Sequence, residues 1–129
     1  MIPGTTFDFA DIDAAWPRVV LRATLARSDA LEDYQQRCRA GDALCLICDD
    51  GLVILSLQVH ASGRMAAVVL LAVSLGEPNA FKRHEEELVK IARDLDAEEL
   101  TFQTDRRGWL RLLGSHWHGT PDIGFSRRV

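Results

Sequence analysis

Long apolar runs, a lysine-rich surface and an even number of cysteines are all missing from this sequence, tyrosine occurs only once, and each scarcity excludes a class of protein. No stretch approaches the ~20 consecutive apolar residues that span a bilayer, so membrane insertion is excluded for helices. The start, Met1-Ile2-Pro3-Gly4, lacks a basic patch followed by an apolar segment. No export signal is visible, and the cytoplasm is the expected compartment. Three cysteines, Cys38, Cys45 and Cys48, are an odd number for a disulfide framework and are expected as reduced thiols. Lysine occurs only at Lys82 and Lys90, net charge is −4, and paired basic residues occur only at 82–83, 106–107 and 127–128. That distribution offers no electrostatic footprint for nucleic acid. The preference for arginine over lysine, with many alanines, suggests a GC-rich coding sequence from a bacterium or its phage. No Gly-x-Ser-x-Gly elbow is present, and the single tyrosine is Tyr34.

What remains is an ordinary globular composition, 47% apolar and 26% charged over 129 residues, which suits one domain covering 1–129. A loose acidic segment, Asp8, Asp11 and Asp13, leads into two helical patterns. The first carries Trp16, Val19, Val20, Ala23 and Ala26 on one side and is expected to start near Trp16, because Pro17 suits only a first turn. The second spans about 31–39, capped by Ser28 or Asp29 and closed by Gly41.

The period then changes. Residues 43–48 are apolar, Asp49-Asp50-Gly51 reads as a hairpin turn, and 52–60 alternates so that Val53, Leu55, Leu57 and Val59 share a face expected to be fully buried. Residues 65–74 are apolar almost throughout, the pattern of a central strand covered on both faces. After Gly76 and Pro78 comes a helix starting near Phe81, with Phe81, Leu88, Ile91, Ala92 and Leu95 inward and Lys82, Arg83, Glu86, Glu87, Lys90 and Asp94 toward water. Residues 100–104 alternate as a strand, 108–113 leave room for a short helix, and 124–126 fall in a final strand. The expected class is α/β (α+β), with a mixed sheet in the order α-α-β-β-β-α-β-α-β. An antiparallel meander precedes a strand-helix-strand crossover, whose two strands are parallel.

Two constellations invite a chemical reading. Cys45-x-x-Cys48, with Cys38, His60 and His116-x-His118, has metal-like spacing, but residues three apart on a strand face opposite ways, so core cysteines and an exposed histidine loop are expected. Trp109 and Trp117 flank the last helix and either pack in the core or cover an oligomer interface.

The element order, together with Leu88-Val89-Lys90-Ile91-Ala92-Arg93, the strand at 99–103 and Arg106-Arg107-Gly108-Trp109-Leu110-Arg111-Leu112-Leu113, resembles the GNAT superfamily of N-acetyltransferases. In that family a glycine-rich turn between the fourth strand and the next helix offers backbone N–H groups to a pyrophosphate. The matching stretch here is Leu75-Gly76-Glu77-Pro78-Asn79-Ala80-Phe81-Lys82-Arg83-His84, with one glycine and a proline lacking an N–H. By resemblance the cofactor-binding stations are Val73, Leu75, Ala80, Lys82, Arg83 and His84. Lys82, Arg83 and His84 either hold an anion through their side chains or form a solvated first turn paired with Glu85 to Glu87. Leu113 stands at the station of the family's catalytic tyrosine, and Glu99 and Asp105 are the only nearby carboxylates to serve as base, so no catalytic residue is assigned.

Two functions follow from the resemblance. One is a GNAT-like structural or interaction protein without conventional acetyltransferase activity or cofactor, with a protein partner or self-association as a homo-oligomer. It also resembles, more weakly, phage-encoded GNAT-like accessory or internal virion proteins. The other is a divergent N-acetyltransferase using acetyl-CoA.

Overall fold

The computed structural model describes residues 2–22, 28–49, 51–59, 63–73, 78–102, 115–120 and 124–129. Its elements are β1 (Asp8–Phe9), α1 (Ile12–Arg22), α2 (Ser28–Ala40), β2 (Leu44–Cys48), β3 (Gly51–Val59), β4 (Met65–Val73), α3 (Pro78–Asp94), β5 (Glu99–Phe102), β6 (Trp117–Thr120) and β7 (Gly124–Arg128). The short helix expected at 108–113 lies outside the described residues. None of the described helices is long and apolar enough to cross a membrane.

Local chemistry sets the helix ends. The Asp11 carboxylate accepts from the Ala14 N–H at 3.3 Å, so α1 begins at Ile12 and not near Trp16. Pro17 therefore lies inside the helix, where it forfeits one backbone hydrogen bond. At the end of α2, Asp42 N–H donates to Arg37 C=O (2.8 Å) and Gly41 N–H to Cys38 C=O (3.2 Å), with Gly41 at φ 82°. That is a Schellman closure made by the expected glycine. The end of α3 repeats it through Asp96 and Ala97, with Asp96 at φ 62°.

The seven strands form one sheet in the order β1-β2-β3-β4-β5-β7-β6. Every pairing is antiparallel except β4 with β5, which runs parallel from Ala66↔Glu99 to Val69↔Phe102, as the crossover rule requires. Two strands extend the order read from sequence. β1 arises in the acidic segment, where two exposed residues pair with Leu46 and Ile47. β6 arises where a loop was expected, pairing with β7 from Trp117↔Arg127 to Thr120↔Gly124.

Helices cover both faces of the sheet. On one, Leu88, Val89, Ile91 and Ala92 of α3 pack with Leu46, Val53, Leu55, Ala67, Leu100 and the aromatic residues Phe7, Phe102 and Phe125. On the other, Ile12, Ala15 and Leu31 pack with Cys45, Leu52 and Ile54. Burying a Leu or Ile side chain contributes about 1.5–3 kcal/mol, so these two layers dominate stability. Coverage ends partway along β3. Leu57 and Val59 are exposed (42% and 70%), contrary to the expectation of a fully buried face, because the packed residues of β3 stop at Ser56. In β4 Ala66 and Ala67 are fully buried, and residues 68–72 are half-buried.

Candidate cofactor cleft

The described pairing of β4 with β5 reaches Val69↔Phe102, the last described residue of β5, while β4 runs on to Val73. At the same height the register of β3 against β4 slips, from Leu55↔Val69 to Ile54↔Leu71. Leu70 is therefore the extra residue of a β-bulge, which bends β4 and strengthens its twist. Among the described residues these two features split the sheet. Beyond Val69 the β5-facing edge of β4 has no strand partner among the described residues.

A cleft of about 520 Å³ occupies the split. Its walls are Val68, Val69 and Leu70 of β4, Thr101 and Phe102 of β5, Gly124, Phe125 and Ser126 of β7, and His118 and Gly119 of β6; Gln58 and Tyr34 complete it. Val68, Thr101, Ser126 and His118 are successive cross-strand partners. Paired residues share a face, so they make a row with three polar members leading away from β4. The ring of Phe102 lies 5.2 Å from Trp117 and 5.4 Å from Phe125, centroid to centroid, which stiffens that wall. No carboxylate, lysine or arginine lines the cleft among the described residues.

The stations named from sequence divide. Val73 ends β4 on the open side of the split, Ala80 lies in the first turn of α3, and Leu75 lies outside the described residues. Lys82 and Arg83 are exposed in the next turn and do not line the cleft; Lys82 has no ion-pair partner among the described residues. α3 carries no acid in its first turn.

His84 is turned inward. It is 8% exposed, sits edge-on to Phe7 at 5.4 Å, and its Nδ1 is 2.7 Å from Glu87 Oε2. An ionised carboxylate only accepts, so Nδ1 carries the proton. Glu87 also accepts from the Thr6 N–H and hydroxyl, both at 2.9 Å. Burial alone raises its pKa, but the bonds from His84 and Thr6 outweigh burial and hold it below the ordinary glutamate value. Of the expected solvated pairing of residues 82–84 with Glu85 to Glu87, these distances show the His84–Glu87 pair.

Glu99, a candidate base, has a side chain only 6% exposed and bridges to Arg64 at 3.2 Å, outside the cleft. Asp105 and Leu113 lie outside the described residues. Cys45 belongs to the core under α1 and α2 and Cys48 to the core under α3, as opposite faces of β2 demand. Cys38 is half-buried, and burial pushes its thiol pKa up. No group of three metal-ligating side chains occurs among the described residues.

Sequence reasoning missed Tyr34 and His118 as cleft residues. Tyr34 lies far from β4 in the chain, and α2 carries it back. His118 needed β6, a strand without an alternating apolar pattern.

The chain matches the "Crystal structure of the NatC complex bound to Gag peptide and CoA" over 95% of its own length and 94% of that chain, with a TM-score of 0.52 and 14% identity. NatC is a GNAT-family N-acetyltransferase complex. The fold is GNAT-like. No family model and no curated protein sequence matches the chain. At this identity the likeness concerns the path of the backbone alone.

Proposed function

We propose that this protein is a GNAT-like binding domain whose split sheet takes a CoA-type ligand without conventional acetyltransferase chemistry, so that it serves as a structural or interaction protein. One observation carries the reading: among the described residues β4 runs on past its pairing with β5 beside a cleft of about 520 Å³, and its main-chain groups there suit an extended, amide-bearing arm. The residues fit such a ligand in two parts. The backbone of residues 70–73 would pair with the arm, and the Lys82 and Arg83 side chains would meet phosphate in place of a glycine-rich turn. When acylated, CoA supplies a thioester to an acceptor.

Conventional transfer is disfavoured by the lining, which lacks a carboxylate among the described residues. The structural neighbour belongs to a complex and holds a peptide and CoA, which supports a protein partner as well as a CoA-type ligand. A phage-encoded accessory or virion role suits such a domain, and adjacent virion genes would support it.

A second reading, a divergent N-acetyltransferase, is favoured by Tyr34 and His118. They are the two ionisable side chains among the described cleft residues. Thermal-shift titration with CoA tests the first reading. A rise in melting temperature that disappears in Lys82→Ala with Arg83→Ala is expected; no rise at about millimolar CoA overturns it. Steady release of free CoA thiol from acetyl-CoA with an amine acceptor, abolished by His118→Ala or Tyr34→Phe, would establish the second reading instead.

A further inference from the structure

The acidic run Glu85-Glu86-Glu87 grips α3 from both flanks. On one side Glu87 holds the N-terminal segment through Thr6. On the other, Arg127 Nη1 of β7 lies 3.3 Å from Glu85 Oε2 and 3.0 Å from Glu86 Oε1, and the Trp117 indole N–H of β6 donates to Glu85 Oε1. The Arg127 side chain is 9% exposed and that of Glu85 16%, so the bridge operates in a region of reduced solvent screening.

Its place along the helix matters. Among the described side chains of α3, aliphatic packing begins at Leu88, a turn beyond Glu85, and His84 alone packs inward before it, against Phe7, whereas Lys82 and Arg83 lie just ahead of His84. β6 and β7 pair beyond β5, so the bridge reaches across the sheet to the helix that follows the open end of β4. We infer that Arg127 is a positioning residue: through Glu85 and Glu86 it fixes the first turns of α3, and with them Lys82 and Arg83, beside the open end of β4. For its ligand this rests on the CoA reading; its mechanical part stands independently.

Removing Arg127 alone leaves the half-buried Glu85 uncompensated, so the test pairs Arg127→Met with Glu85→Gln, which removes both charges and keeps an acceptor for Trp117. Hydrogen exchange is followed along α3 in the full chain. Amides of residues 79–84 are expected to exchange about tenfold faster in the double variant, with residues 88–92 unchanged. CoA affinity is expected to fall about fivefold while pantetheine, which lacks the nucleotide and its phosphates, binds as before. Unchanged exchange at 79–84, or equal acceleration along the whole helix, overturns the inference. If the wild-type protein binds no CoA, the ligand reading fails and the exchange result alone decides the role of Arg127.

Discussion

Asp96 closes α3 in the left-handed region, at φ 62°, with its N–H donating to the Arg93 carbonyl at 3.0 Å. Asp tolerates this conformation better than most residues, but glycine adopts it without a Cβ clash. Asp96→Gly is expected to raise stability by about 0.5–1 kcal/mol, read from the midpoint of urea unfolding, and Asp96→Val to lower it. Glu87 gives a pH signature. Its native pKa is depressed below the ordinary value of 4.5, so its contribution is complete above that value and is lost as pH falls through the lowered native one. Glu87→Gln should therefore unfold at lower urea than wild type near about pH 6, with the difference narrowing as pH falls through the lowered native value. A gap that does not narrow on acidification would contradict the three-bond geometry. At this scale the sequence was readable only for local roles. Gly41 as a helix stop follows from one residue, whereas the inward turn of His84 depends on Phe7 and Glu87, and Phe7 is remote in the chain.

Elements were legible where their own residues bury a face. α3 and β4 announce themselves because Leu88, Ile91 and Ala92, or Ala66 and Ala67, meet the core directly. β1 does not, since both its residues are exposed and pairing with β2 holds it, and β6 shows one core side chain, Trp117, and is otherwise held by pairing with β7. The start of α1 was misplaced because Pro17 signals a first turn, while the Asp11 cap sits one turn earlier. The β6–β7 pair also contains a backbone requirement. Gly119 has φ 127°, and a Cβ there would strike the Gly124 carbonyl oxygen, which belongs to backbone and cannot swing aside. Gly119→Ala is expected to destabilise by roughly 2–3 kcal/mol, measured by chemical denaturation, and to loosen the wall that carries His118. In α3, Leu88→Ala removes a side chain with no exposure and is expected to cost about 2–5 kcal/mol.

Across the whole molecule, the crossover rule made the parallel β4–β5 pair legible, and the splitting of that pair was not. It rests on the bulge at Leu70, which leaves no mark in an almost uninterrupted apolar run at 65–73. The cleft that results draws on α2, β3, β4, β5, β6 and β7, so no local motif could have predicted its lining. Its occupancy is the central claim, and calorimetric titration of CoA into wild-type protein and Ser126→Trp tests it most directly. Ser126 is a half-buried cleft residue, so the indole fills the space a ligand arm would take. The account predicts a dissociation constant of about 1–100 μM for wild type, at least about tenfold weaker binding in Ser126→Trp, and little change in its melting temperature. No heat of binding by the wild type at about millimolar CoA, or equal affinity in the two proteins, would contradict it.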